Sequence, residues 1–305
     1  DSANSNYGTA IIGTVSGTSI SFGSEYVFSA VNITTRISLK KDPNATDIFV
    51  VAYADNVSNV AKAVVGTVSG NSISYGSATT YESSFVNWCG VSFDPSTANK
   101  FAIMFGTGST LEAIIGTRSG TSISFGSAAT VQNNYVTNPA VAYDLNTANR
   151  FVIAYRNNGN SNYGTATVCT VSGSTITVGT SYVYNSYLSN YTAICFDSNN
   201  SGKFTVSFYN GNGPAGSTIL GNLEGSIVST NLTSTNLLGI SAEAITSGAT
   251  GVINTWGGLN EGQSSLTPAS IYYVQGNGTI STVSTSPAQK IGQAISATTL
   301  NILDL

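Results

Sequence analysis

The sequence contains no histidine. Ser-His-Asp and Cys-His catalysis are excluded with it, as is histidine metal binding. Charge is scarce as well: Asp, Glu, Lys and Arg make up 8% of the 305 residues, and the net charge is −4. The ten Lys and Arg residues are scattered with no basic patch, which argues against a nucleic-acid partner. No apolar run is long enough to cross a bilayer and no signal peptide stands at Asp1, so a soluble chain without membrane insertion is expected. The three cysteines, Cys89, Cys169 and Cys195, are an odd number without a Cys-x-x-Cys pair. That speaks against a disulfide framework and a zinc site, and the three read as small buried hydrophobes. No cofactor is expected.

What the chain has instead is Gly, Ser, Thr, Asn and Tyr, a mixture suited to tight turns and half-buried strands. It also has a repeat. An acidic opener recurs at Asp42, Asp94, Asp144 and Asp197, in steps of 52, 50 and 53 residues. A Ser-Gly turn recurs at Gly17, Gly70, Gly120 and Gly173, in steps of 53, 50 and 53. Two independent markers with one period near fifty residues point to a repeat array or a propeller. The expected fold is all-β: a β-propeller of four-stranded repeats followed by a small β-domain. A linear β-solenoid is the competitor, and its period is usually shorter.

In chain order, residues 7–28 match only the second half of a repeat. Full repeats are expected at 31–82, 83–131 and 135–183, with a degraded one at 187–230. The first is expected to place strands near 33–39, 47–54, 60–68 and 71–80. Each repeat carries FVVAY, FAIMF, FVIAY or FTVSF, starting at Phe49, Phe101, Phe151 and Phe204. These runs read as apolar on both faces, as inner strands of a stack do. The half-repeat needs completion, because two strands alone are marginal in water. Strands from 237–256, a neighbouring subunit or further sequence are the open alternatives. The repeat domain is expected over 1–236 and a separate β-domain over 237–305. In the latter, a hairpin IYYVQGNGTIST turns at Gly276-Asn277-Gly278, and IGQAISATTLNIL reads as one closing strand.

The run SSLTPASIYYVQGNGTIST, followed by a Pro, a Lys-x-Gly-x-Ala and a Ser-Ala-Thr strand, resembles the C-terminal modules of tail-fibre and related structural proteins of marine tailed bacteriophages. The repeats, with D-x-x-T-A-N-[KR]-F-x-I-A-Y and G-T-x-S-G-T-S-I-S-F-G-S, resemble those placed before that module. Together the two matches cover nearly all of the chain. The resemblance implies a virion-borne fibre or adhesin without enzymatic activity. Its motifs are structural, so no binding residue is carried over.

The candidate chemistry is thin. An Asp needed in every repeat is more often an Asx-turn than a catalyst, so Asp42, Asp94, Asp144 and Asp197 read as structural, with Gly17, Gly70, Gly120 and Gly173. Glu25, Glu82, Glu112, Glu224, Glu243 and Glu261 leave two-carboxylate glycosidase chemistry formally open. Sialidase-type propellers cluster arginines, whereas Arg36, Arg118, Arg150 and Arg156 fall at unrelated repeat positions. DSNNSGK at 197–203 is faintly like a calcium loop without its closing Glu. The loops RNNGNSNYG at 156–164 and YNGNGPAG at 209–216 suit contact with sugars, since Tyr stacks and Asn bonds hydroxyls. Glycosylation sequons stand at Asn32, Asn44, Asn56, Asn190, Asn199, Asn231 and Asn277. The expected function is a non-enzymatic virion structural or adhesion protein that self-associates or joins other fibre subunits and faces a host receptor. The alternatives are a microbial extracellular fibre subunit or surface adhesin, and a propeller lectin for cell-surface glycans. The expected place is the virion or the extracellular space.

Overall fold

The structure, a computed structural model, describes residues 5–33, 36–213, 216–223, 240–242, 252–255, 257–275, 279–284 and 288–303. The chain divides into two units, Asp1–Leu223 and Glu224–Leu305. The division expected after residue 236 lies outside the described residues. The described residues are all-β, with strands and no helix.

The first unit opens with a hairpin, β1 (Tyr7–Ser16) and β2 (Ser19–Asn32). The first full repeat supplies β3 (Ile37–Lys41), β4 (Ile48–Asp55), β5 (Val60–Ser69), β6 (Ser72–Tyr75) and β7 (Thr79–Glu82). The second supplies β8 (Trp88–Phe93), β9 (Lys100–Gly106), β10 (Leu111–Ser119), β11 (Ser122–Phe125) and β12 (Ala129–Gln132). Then follow β13 (Val136–Tyr143), β14 (Arg150–Asn157), β15 (Tyr163–Ser172), β16 (Thr175–Phe196), β17 (Lys203–Asn210) and β18 (Gly216–Asn222). Neighbouring strands pair antiparallel throughout.

Two features depart from the expected four-strand unit. The last strand of the first and second repeats is broken into two short pieces, both paired to the same neighbour. Gly76 and Gly126 lie at the breaks, where a Cβ would run into the backbone of Thr121 or Ser174 in the following repeat. In the third repeat the corresponding strand does not break. β16 runs for 22 residues, pairs with β15 and then with β17, and so joins the third and fourth repeats into one six-stranded sheet. Its bulge near Tyr191 (φ 53) turns the strand between the two pairings.

The sheets follow one another as an open series, and no closed ring is seen among the described residues. Each repeat presents large side chains backward and small ones forward. Phe101, Ile103 and Phe105 pack onto Val50, Ala52 and Ala54 of the repeat before. Phe151, Ile153 and Tyr155 pack onto Ala102 and Met104. Phe204, Val206 and Phe208 pack onto Val152 and Ala154. Strand alternation is what sends the two sets to opposite faces. Each such aromatic or branched side chain contributes roughly 1.5–3 kcal/mol when fully buried. The first strand of a repeat adds an aromatic beside that Phe, with ring centroids 5.2 Å apart for Phe93–Phe101 and for Tyr143–Phe151, and 5.4 Å for Phe196–Phe204.

β4, β9 and β14 are buried on both faces apart from their ends. β17 is not: Thr205 and Ser207 break the apolar run, and its burial alternates. The forward face of the fourth repeat is a row of hydroxyls, with Ser207 Oγ 3.0 Å from Thr218 Oγ1.

In the second unit β19 (Ile240–Ser241) pairs with β20 (Ile253–Asn254). A second sheet has the order β21 (Leu259–Asn260), β25 (Leu300–Ile302), β24 (Ala288–Ala294), β22 (Ile271–Gln275), β23 (Ile280–Ser281). Leu266, Tyr272, Val274, Ile291, Leu300 and Ile302 form its core. The expected single closing strand is two, β24 and β25, because Ser296 Oγ accepts the N–H groups of Thr298 (3.1 Å) and Thr299 (2.9 Å) and folds a turn between them. The turn placed at residues 276–278 lies outside the described residues.

Candidate functional site: two unlike ends of the repeat array

Strand polarity puts the Asp turns and the Ser-Gly turns at one end of the sheets. In all four Asp turns Oδ1 accepts the N–H two residues on, from Asn44 (2.8 Å), Ser96 (2.9 Å), Asn146 (3.0 Å) and Asn199 (2.8 Å). The second oxygen is also spent inside the fold. Asp42 Oδ2 accepts from Arg118 of the next repeat (3.2 Å) and Asp94 Oδ2 from the N–H of Asn149 of the next repeat (3.2 Å). Asp144 Oδ2 accepts from Arg150 Nε (2.9 Å) and Asp197 Oδ2 from Asn200 Nδ2 (2.8 Å). The N–H of Asn199 and the Asn200 amide hold the Asp197 carboxyl below its ordinary range. Asn44 and Asn146 donate onward to the carbonyls of Asp94 and Asp197. The Asp42 and Asp94 carboxylates are therefore rivets between repeats, whereas those of Asp144 and Asp197 brace the turn of their own repeat; Asp42, Asp94 and Asp144 are buried. Beside them Gly17, Gly70, Gly120 and Gly173 take φ of +58 to +62°, the left-handed conformation a two-residue hairpin turn requires.

The opposite end differs from repeat to repeat. There Phe85, Tyr135, Tyr187, Tyr191 and Tyr209 are all exposed, Tyr191 most at 77%. Tyr209 pairs with Asn190 across β16 and β17, next to the bulge that throws Tyr191 outward. Asn190 Oδ1 accepts from Arg156 and from Asn138 Nδ2 (3.3 Å), and Asn185 Nδ2 donates to Ser189 Oγ (2.8 Å). The result is a ledge of tyrosine rings and braced amides, groups that stack on apolar sugar faces and bond hydroxyls. It includes parts of the loops at 156–164 and 209–216, but its most exposed ring, Tyr191, and its neighbour Tyr187 belong to β16. Sequence periodicity had no marker for them, because they sit where the repeat loses its turn. At the same end the guanidinium of Arg36 lies 4.0 Å over the Trp88 ring. Arg118 and Arg150 are at the Asp-turn end, so the four arginines do not converge.

Asn44 and Asn199 are exposed, whereas Asn32, Asn56 and Asn190 are half-buried. Asn231 and Asn277 lie outside the described residues, as do Glu224 and Glu243. Among the described residues no three His, Cys, Asp or Glu side chains come together. Of the cysteines Cys169 is buried, Cys89 is half-buried and Cys195 is exposed, contrary to the buried reading for all three. Cys195 pairs with Thr205 on the forward face of the fourth repeat.

No protein-family model and no curated protein matches the chain. Among solved structures it is similar to the NanB sialidase of Streptococcus pneumoniae, at 12% identity and a TM-score of 0.45, covering 59% of this chain and 30% of that one. It is also similar to Saccharomyces cerevisiae Sqt1, at 11% identity and a TM-score of 0.39, covering 59% of this chain and 48% of that one. The chain thus spans under half the length of either.

Proposed function

We propose that this chain is a non-enzymatic structural and adhesive protein of a virion, part of a tail fibre or related appendage that meets the host receptor. One observation carries the reading. The array separates an end of recurring Asp turns, two of whose carboxylates, Asp42 and Asp94, bond to the repeat that follows, from a varied end where five aromatic side chains stand exposed. A rigid frame with a variable loop edge is the division of labour of recognition proteins. The likeness of repeats and tail to marine phage fibre proteins supports the same reading. The proposed architecture is a propeller, supported by repeats of antiparallel strands stacked face to face. Mass spectrometry of purified particles tests the proposal: the chain is expected among the structural proteins, and its absence there would sink it. Recovery from cell-surface filaments instead would assign it to a microbial fibre.

A second reading, glycan binding, is favoured by the ledge of Tyr187, Tyr191 and Tyr209 beside Asn190. A glycan array should give hits that Tyr191→Ala and Tyr209→Ala remove. No signal above background ends this reading.

A further inference from the structure

At the varied end, the gap between the third and fourth repeats holds a cation without an acid. Val152 and Ala154 of β14 face the fourth repeat, and half-buried Arg156, two residues on, lies on the same side of the strand. Three ion pairs stand among the described residues, Lys62–Asp55, Arg118–Asp42 and Arg150–Asp144, and Arg156 is in none of them. Two amide oxygens hold it instead. Its Nε donates to Asn158 Oδ1 (3.2 Å) and its Nη1 to Asn190 Oδ1. Each of those oxygens accepts a second bond, from Thr137 Oγ1 at Asn158 (3.2 Å) and from Asn138 Nδ2 at Asn190 (3.3 Å).

A guanidinium only donates, so it fixes which way both amides point. With Oδ1 turned inward and spent, Asn158 and Asn190 each present Nδ2, which donates only. Arg156 adds Nη2. Among the described residues nothing accepts from these three nitrogens, and none of them is buried. The carboxylates at this end of the array belong to the first two repeats and hold their own surroundings: Asp55 accepts from the N–H of Ser58, Glu82 from that of Ser84 and Glu112 from Thr110 Oγ1. Exposed rings flank the three donors. Tyr135, whose carbonyl accepts the Asn158 N–H (3.3 Å), stands on one side, and Tyr209, paired with Asn190, on the other. The gap thus has an edge of donors alone, with one positive charge, between two tyrosines.

We infer that this edge binds the carboxylate of an acidic sugar within a surface glycan. The Arg156 guanidinium supplies the charge and a planar fork for the two carboxylate oxygens. Asn158 and Asn190 donate to the sugar's remaining acceptors, and the Tyr209 ring covers its apolar face. The inference rests on the glycan-binding reading above and narrows it to one class of ligand. A neutral sugar offers hydroxyls, which donate as well as accept, and gains little from an unpaired cation; a carboxylate only accepts and carries the opposite charge. The positions equivalent to Arg156 in the other repeats are Ala54, Gly106 and Tyr209, so the cation is peculiar to this gap.

The probes are oligogalacturonate, oligomannuronate and sialyllactose, each beside its methyl ester, titrated against the full chain. The ester keeps the ring and removes the charge. Saturable binding of an acid is expected, with its ester roughly tenfold weaker or worse, and with affinity that falls as salt rises. Asn158→Asp keeps the two bonds that its oxygen accepts and sets a carboxylate against Arg156. It should weaken the acid by a similar factor without lowering the melting temperature. Arg156→Gln should do the same to binding, and if it proves destabilised Asn158→Asp carries the test. Equal binding of acid and ester overturns the inference and leaves the glycan reading standing. Acid binding that both variants leave intact also overturns it, by placing the charge elsewhere. So does the absence of saturable binding by every acid: array hits confined to neutral sugars would then keep the glycan reading, and an empty array would end both.

Discussion

Arg118 reaches back 76 positions to Asp42, placing Nη2 3.2 Å from Oδ2 and bonding the second full repeat to the first. The Asp42 side chain is fully buried and that of Arg118 is 12% exposed. Removing the cation leaves a buried carboxylate with only the Asn44 N–H. Arg118→Leu should therefore destabilise by about 3 kcal/mol, and adding Asp42→Asn should recover part of the loss. Urea unfolding of the two single variants and the double gives the coupling. A cost under about 0.5 kcal/mol, the scale of exposed pairs, would mean that solvent screens the rivet.

Two glycines of one repeat should respond differently to alanine. Gly70 has φ +58° with open space around it, so Gly70→Ala costs the left-handed penalty, about 1–2 kcal/mol, and Gly70→Asn less. Gly66 has an ordinary strand backbone, but its Cβ would enter the Phe49 ring. Gly66→Ala should cost about 1–3 kcal/mol through overpacking, and Phe49→Leu in the same chain should relieve much of it. Denaturant midpoints of these variants check both. Absence of rescue by Phe49→Leu would refute the cradle at Gly66.

The Asp turns, Ser-Gly turns and Phe strands show in the sequence because each depends on a few residues close together. The rivets do not: Arg118 occupies a position where other repeats have Val, and its partner lies a repeat away. β16 was hidden for a different reason. Its middle, SYVYNSYLSNYTAICF, keeps strand-forming residues where earlier repeats have a break, so the boundary between 183 and 187 dissolves into one strand. The reading of FTVSF as apolar on both faces fails at Thr205 and Ser207, which alternate with its apolar residues where FVVAY has no such break. That alternation marks a strand covered on one face only.

Asp55 gives the first repeat an acid limit. Burial raises its carboxyl, but the Lys62 ammonium 2.7 Å away and the N–H groups of Ser58 and Val57 outweigh burial and hold it below 3.8. A folded-state value below the unfolded one means stability that is fully present above the ordinary carboxyl range and lost as pH falls through the lowered value. Asp55→Asn should be less stable than the parent near neutrality, and the gap should close on acidification. Urea midpoints across a pH series test this. A gap independent of pH would show that the pair does not act through charge.

The cysteines should separate by reactivity. Burial pushes the Cys89 and Cys169 thiols up to about 12, so neither forms thiolate near neutrality. Cys195 is exposed, with Thr205 Oγ1 3.0 Å from its sulfur. Iodoacetamide at mildly alkaline pH should alkylate Cys195 alone in the native chain and all three cysteines after unfolding, as peptide mass spectrometry will read. Native modification of Cys169 would contradict the packing of the third repeat.

The unlike faces at the two ends of the stack predict a barrier to head-to-tail addition. Its front sheet exposes Ile11, Val15, Ile20 and Phe22, on the face that later repeats turn toward their predecessors. Its last repeat would be the natural receiver, because forward faces elsewhere carry Val50 and Ala52, or Ala102 and Met104. In the fourth repeat those positions are Thr205 and Ser207. Burying their hydroxyls against an apolar face without partners costs roughly 1–3 kcal/mol each, which blocks head-to-tail addition. A polar outer face on a terminal repeat is the usual cap of such arrays. The double variant Thr205→Val, Ser207→Ala restores the small apolar pattern. It should self-associate at concentrations where the parent does not, and because the contact is heterologous the products should be open chains. Sedimentation velocity over a concentration series reads this directly. Ile11→Lys added to the double variant should reverse the association. If the double variant sediments like the parent at every concentration, the hydroxyl row is not what keeps the ends apart.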